Sequence, residues 1–185
     1  MEDREVKGTM VLDMVRMIRA NKDLPWDEYL DAEDWKVINS IILQSKWYPF
    51  GLYQRLGWAV FQVVAKGNLE LVRARGRQRG KELFGDVYKS IVANKSPLEA
   101  LDAFVKRYST LFNFSILRFE KEGEKNARIY HDFKVDHQVF IAYCHQLRGH
   151  LEALVEMTGG KNYKVELIAK QWEGAPTTIF DITWQ

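Results

Sequence analysis

The hydrophobic spacing of this chain changes after Leu111, where stretches with a period of two first join those with a period of three to four residues. Side chains share a helix face every three or four positions and a strand face every second one, so helices alone are expected before the change and strands only after it. Before it, Met10, Val11, Met14, Val15 and Ile18 fall on one face of a helix expected over residues 7–21, which Asp23-Leu24-Pro25 ends. A second helix starts near Asp31 or Asp34 and turns Trp35, Ile38, Ile41 and Ile42 inward. It stops before Trp47-Tyr48-Pro49, where the proline disfavours helical dihedrals at Tyr48. From Phe50 a third presents Leu52, Leu56, Ala59, Val60 and Val63 and reaches a glycine cap at Lys66-Gly67-Asn68. The spacing predicts a longer helix over residues 69–93, with Leu69, Val72, Gly76, Gly80, Leu83, Val87 and Ile91 on one stripe. Its two glycines cost about 1 kcal/mol each against alanine, and their place on the buried side implies another backbone passing close. The last helix of this half opens after Ser96-Pro97, with serine as N-cap and proline in the first turn, and runs to about Tyr108.

After the switch, residues 114–120 and 127–135 read as a hairpin about the turn-rich Lys121–Asn126. Phe140, Tyr143, Cys144, Leu147, Leu151 and Leu154 mark the clearest helix, over residues 137–158, which Gly159-Gly160 ends. Tyr163, Val165, Leu167, Ala169 and Gln171 alternate with Lys164, Glu166, Ile168 and Lys170 as a strand, and Gly174-Ala175-Pro176 turns back to Thr178, Phe180, Ile182 and Trp184. The expected fold is α+β, with a helical N-terminal layer (residues 1–110) packed on a four-stranded antiparallel sheet from a C-terminal ββαββ unit (residues 111–185). A length of 185 residues suits a single domain over all of them.

A formal charge of +2 offers no global field to draw in nucleic acid or an anionic membrane. The single cysteine, Cys144, excludes an internal disulfide and a cysteine zinc cluster and suits a reducing compartment. No signal-like N-terminus and no apolar run of membrane-spanning length appear, so a cytoplasmic protein is expected.

Trp47-Tyr48-Pro49, the helix bearing Gly76 and Gly80, the Cys144…Gly149…Gly159-Gly160 helix end, Glu166…Gly174 and the closing Phe180-Asp181-Ile182-Thr183-Trp184 together resemble a bacterial family abundant in myxobacteria, over nearly the whole chain. More distantly the chain resembles the superfamily uniting 4-vinyl reductase domains, haem nitric-oxide-binding domains and the trafficking subunits of TRAPP complexes. That resemblance implies a scaffold that receives an apolar ligand between helices and sheet or pairs with another protein. In the 4-vinyl reductase domains, late cysteines bind zinc. Aligned on Gly174 and Phe180, those positions hold Lys170 and Thr178 here, with Cys144 and Glu166 at the earlier ligand places. Lysine and threonine lack the thiolates that structural zinc prefers, so no zinc is expected. Haem-binding relatives need a proximal histidine and a Tyr-x-Ser-x-Arg clamp on the propionates, a spacing this sequence lacks. No cofactor is expected.

His131, Asp132, Cys144 and His145 are the nearest approach to a catalytic or metal cluster. Cys144 lies on the apolar stripe of its helix as a small hydrophobe would, and His145 and His150, five residues apart, read as exposed or capping. Arg73, Arg75, Arg77, Arg79 and Lys81 spread around their helix and read, with Glu70 and Glu82, as a solvated and partly salt-bridged face. The remaining role for them is a partner's acidic patch or an anionic ligand. No Walker loop or Gly-x-Ser-x-Gly elbow is present. Trp58 and Phe61 lie off the Leu52/Leu56/Val60/Val63 stripe, as side chains lining a pocket or interface do. The expected function is a non-enzymatic sensory or regulatory module holding a small apolar ligand at Trp47, Tyr48, Trp58, Phe61, Phe84, Tyr88 and Leu147. The alternative is an adaptor acting through homodimerisation or a partner protein, without ligand, and in neither is nucleic acid bound or a membrane spanned.

Overall fold

The computed structural model describes residues 4–131 and 138–185. The chain divides into two compact units, the first Met1–Asn68 with Thr110–Phe114, the second Leu69–Ser109 with Ser115–Gln185. Among the described residues there are six α-helices, a two-stranded sheet and a four-stranded antiparallel sheet, the α+β composition expected from the change of period.

In the first unit, β1 (Glu5–Lys7) pairs antiparallel with β2 (Trp47–Pro49), Val6 opposite Tyr48. Helices α1 (Gly8–Ala20), α2 (Ala32–Ile38) and α3 (Phe50–Val63) complete it. Its core holds Val6, Val11, Val15, Ile18, Trp26, Ile38, Leu56 and Ala59. The three-residue strands escape a periodicity argument, because Tyr48 and Pro49 form one only by meeting a segment some forty residues earlier. Asp31 caps α2 in a capping box with Asp34, and buried Asp34 also receives the Arg55 guanidinium at 2.7 Å. This ion pair and hydrogen bond hold the Arg55 charge more firmly than in water, against a smaller opposing effect of burial.

The second helix is shorter than its spacing suggests. Arg19 Nε donates to the Ile38 carbonyl at 2.7 Å and Ser40 Oγ to that of Val37 at 2.8 Å, so the helix end is capped before Ile41. Ile41, expected inside, is 84% exposed, while Ile42 is buried. Val60 and Val63 on α3 are half-buried rather than core.

In the second unit, α4 (Leu69–Gly85), α5 (Pro97–Ser109) and α6 (Gln138–Met157) accompany β3 (Arg118–Lys121), β4 (Asn126–His131), β5 (Lys164–Ala169) and β6 (Thr178–Thr183), in sheet order β3-β4-β6-β5. Helix α4 stops eight residues short of the expected end. At Gly85 the ladder fails, and the Tyr88 N–H reaches back five residues to the Leu83 carbonyl at 2.7 Å. Val87 is therefore 68% exposed instead of buried on the stripe, and a 3-10 turn, Lys89–Ile91, follows. Ser96 accepts from the Glu99 N–H while the Glu99 carboxylate accepts from Ser96, the capping arrangement its position suggests. Ile129, Phe180 and Ile182 from the sheet and Leu147, Leu151 and Leu154 from α6 are fully buried.

The close backbone approach inferred from the α4 glycines is present. A Cβ at Gly76 would stand 2.3 Å from the Gln146 carbonyl oxygen of α6, and one at Gly149 would stand 2.2 Å from that of Arg73. Both obstacles are backbone, which cannot rotate away. Gly76→Ala or Gly149→Ala is expected to lower stability by about 2–3 kcal/mol, the cost of overpacking, or roughly 4–12 °C in Tm for a chain of this size. Gly85→Ala, with open space around it, is expected to leave Tm unchanged or slightly raised in the same thermal melts.

Candidate functional site

Two features of the structure are candidates for a functional site, one in each unit. In the second, Arg73 and Arg77 stand one turn apart on α4, and Arg148, Glu152 and Glu156 follow at spacings of four on α6. The glycine contact sets these two rows face to face. Arg73 Nε donates to Glu152 at 2.8 Å, and Arg77 Nη2 donates to Glu156 and to the Tyr163 hydroxyl, each at 2.8 Å. Lys81 reaches Glu156 at 3.0 Å. Beside them lies a half-open cleft of about 240 Å3, lined by Arg73, Arg77, Arg148 and Glu152 of the helices and by residues 163–166 at the start of β5.

The electrostatics follow from these pairs. Burial works against the Arg73 charge, but the hydrogen bond and charge of Glu152 outweigh it and the guanidinium is held above its usual value. The same balance holds for Arg77, with Tyr163 and Glu156 as partners. Burial likewise opposes ionisation of Glu156, yet Lys81 and Arg77 keep its carboxyl below the ordinary carboxylate range. Arg148 differs from its neighbours. Its side chain is 25% exposed, its Nε lies 3.4 Å from Glu152, and that Nε is buried without a hydrogen-bond partner among the described residues. Spacing reads the arginine run as a solvated and partly salt-bridged face. The local pairs Arg73–Glu70 and Arg79–Glu82 fit that reading, whereas the α6 acids that turn Arg73 and Arg77 inward lie nearly eighty residues away.

Among the described residues, the candidate reactive side chains do not assemble a catalytic group. Cys144 is completely buried, and burial pushes its thiol well up, away from thiolate chemistry. His131 is buried with its ring 4.6 Å from Phe140 and 5.4 Å from Tyr143. Asp132 lies outside the described residues. His145, expected to be exposed or capping, is half-buried instead, one turn before Gly149, where α6 meets α4. Burial first, then the charges of Arg148, Arg73 and Lys170, depress its pKa, and Glu70 works the other way. No group of three metal-ligating side chains is found among the described residues.

Of the seven residues proposed for an apolar ligand, four stand in the first unit and three in the second. Trp58 and Phe61 pair on α3 with ring centroids 5.7 Å apart, both half-buried and off the Leu52/Leu56/Ala59 stripe. The Lys7 ammonium sits 3.8 Å over the Trp47 ring, and the buried Tyr48 hydroxyl accepts from the Leu43 N–H at 3.1 Å. In the second unit, Phe84 packs edge-on against Phe104 at 5.9 Å, Arg107 covers half-buried Tyr88 at 5.3 Å, and Leu147 is core.

No family model matches the chain, and no curated protein matches it. Solved structures do. The unliganded Fe(II) H-NOX protein from K. algicida is 12% identical, with a TM-score of 0.62 over 97% of this chain and 96% of that one. The H-NOX protein from S. oneidensis in the Fe(II)NO state is 13% identical, with a TM-score of 0.61 over 97% and 99%. A third, from work on haem distortion in the H-NOX family, is 15% identical, with a TM-score of 0.62 over 97% and 95%. The chain therefore has an H-NOX-like fold, and at such identity the likeness reaches the fold alone.

Haem requires an axial ligand for iron and cations for its propionates. The described imidazoles stand on β4 and α6. His131 is enclosed by Phe140 and Tyr143, and His145 lies among the cations beside the polar cleft. His137 lies outside the described residues, and no Tyr-x-Ser-x-Arg occurs in the sequence. Among the described residues, this donor set does not fit haem.

A histidine whose folded pKa is depressed binds its proton more weakly in the native than in the unfolded chain. Stability then falls as pH drops through the unfolded value near 6.5 and levels off below the folded one. His145→Gln is expected to flatten that part of the urea-denaturation profile between about pH 7.5 and 5. In histidine NMR spectra the His145 ring is expected to titrate below 6.5, and an ordinary midpoint would show that its burial exerts no such effect.

Proposed function

We propose that the chain is a sensory or regulatory module, without catalysis of its own, that takes up a small apolar ligand on a haem-free version of the H-NOX-like fold. The observation that carries this reading is the Trp58–Phe61 pair, two large rings in contact at 5.7 Å that the α3 core leaves half-buried. Aromatic rings offer 150–250 Å2 each. Covering such a surface stabilises a complex by about 25 cal/mol per Å2, so two half-covered rings supply a few kcal/mol to whatever completes their burial. The fully buried thiol and the lack of a metal-ligating group among the described residues support binding over chemistry.

Native mass spectrometry of protein purified from its own host is expected to show added small-molecule mass. The neutral fluorophore N-phenyl-1-naphthylamine is expected to bind, and Trp58→Ala with Phe61→Ala to weaken that binding about tenfold, equivalent to 1.4 kcal/mol. A clean apo mass together with fluorophore binding that ignores both substitutions would remove the basis for this site.

A second reading, docking of another copy or of a partner protein, is favoured by Ile41 and Leu43 of the first unit, which are 84% and 55% exposed. It predicts association in sedimentation that Trp58→Ala weakens while the fold stays intact.

A further inference from the structure

We infer that the cleft between α4, α6 and the start of β5 binds a compact oxyanion, a phosphoryl or carboxylate group, with Arg148 as its principal ligand and Arg73, Arg77 and Lys164 around it. The inference is independent of the apolar site on α3, which involves none of these residues.

Size and chemistry of the cleft argue first. At about 240 Å3, with three arginines and a lysine in its wall, it is smaller and far more polar than the pockets of roughly 300–1,000 Å3 that take apolar ligands. Its wall carries four cations against the carboxylates of Glu152 and Glu166, an excess of two positive charges (4 − 2). Glu152 is already committed, since it accepts from Arg73 at 2.8 Å and faces Arg148 at 3.4 Å. Arg73 is paired with Glu70 as well, so the donors left over are those of Arg148 and the buried Nε of Arg77.

The unfilled donors argue second. A guanidinium carries five N–H groups in a planar fork that matches an oxyanion edge. Arg77 uses Nη2 on Glu156 and Tyr163, but its Nε is buried without a hydrogen-bond partner among the described residues. Arg148 is three-quarters buried and makes no hydrogen bond among the described residues, only the 3.4 Å ionic contact. A mostly buried cation left in that state is one that an added acceptor stabilises, and paired N–H···O⁻ bonds are the strong form of such an interaction. Lys164 is exposed at the start of β5, where its ammonium meets an approaching anion without a desolvation cost. Glu166, two residues along the strand, repels a second negative group and so favours a ligand with a single anionic head.

The test is a titration of the whole chain at constant ionic strength with inorganic phosphate, with propionate, and with chloride as the reference salt, followed by calorimetry and thermal melting. Saturable one-to-one binding of phosphate alone assigns the phosphoryl class, and of propionate alone the carboxylate class. Arg148→Gln is expected to weaken the bound anion at least about tenfold. Arg148→Lys is not expected to restore it, since an ammonium has the charge without the fork. The His145 ring is expected to shift toward its ordinary pKa on saturation, because a bound anion offsets the Arg148 and Arg73 charges that depress it. Responses equal to those of chloride, or an affinity unchanged in folded Arg148→Gln protein, overturn the assignment. Should Arg148→Gln fail to fold, the exposed Lys164→Gln carries the test: a several-fold loss supports the site and an unaltered affinity overturns it.

Discussion

The second unit depends on two glycines that face each other's helix backbones. Helices ordinarily pack with their axes 8–10 Å apart because side chains occupy the space between. Gly76 and Gly149 remove that spacer at one crossing point, and the carbonyls of Gln146 and Arg73 fill the place where Cβ atoms would be. Gly80, one turn on, would bring a Cβ to 3.0 Å from that of Ala153 and 3.2 Å from the His150 Cα, so the approach is closest at the Gly76–Gly149 level.

A crossing this close determines which long side chains can meet. Arg73 and Arg77 flank Gly76, and Glu152 and Glu156 lie beyond Gly149, so each arginine meets an acid across the seam. Partly exposed ion pairs of this kind contribute about 0–1 kcal/mol each, too little for them to be the reason the helices associate. Their consequence is geometric. Glu152, 5% exposed, needs a hydrogen-bonding partner to offset its burial. In holding Arg73 it pins one wall of the cleft, while the Tyr163 hydroxyl fixes Arg77 on the other. The seam supplies the position, and the ion pairs supply the orientation.

What the sequence discloses follows the range of the interactions. Local signals translated well: the Ser96 cap, the α6 stripe and the Thr178–Thr183 strand stand where spacing and turn chemistry put them. The glycines of α4 announced a close neighbour without naming it, since a stripe says which face is buried but not against what. The misses share one cause. Ile41 faces out because Arg19, about twenty residues earlier, takes the last α2 carbonyl, and β2 exists because β1 runs beside it. Similarly, the arginine run looked like a solvated face because its neighbours in sequence are Glu70 and Glu82, while its buried partners lie on α6. Only the Trp58–Phe61 pair could be singled out from spacing alone, because it breaks the period of its own helix.

The cleft also carries an energetic argument that the ion pairs do not. A buried or nearly buried polar group without its hydrogen bonds costs about 1–3 kcal/mol, more when charged, and an apolar side chain of similar length often replaces such a group at no loss. Water relieves part of this cost at Arg148, whose side chain keeps 25% of its exposure, but it does not reach the buried Nε. Packing alone therefore gives no reason for a guanidinium at this position. An anion that fills the fork recovers the lost hydrogen bonds in the native state only, because the unfolded chain does not hold three arginines together. By linkage, occupancy then stabilises this unit in proportion to the logarithm of ligand concentration over Kd. The residue that makes the ligand-free unit less stable than it could be is thus the one through which a dissolved anion would report its own concentration as folding free energy.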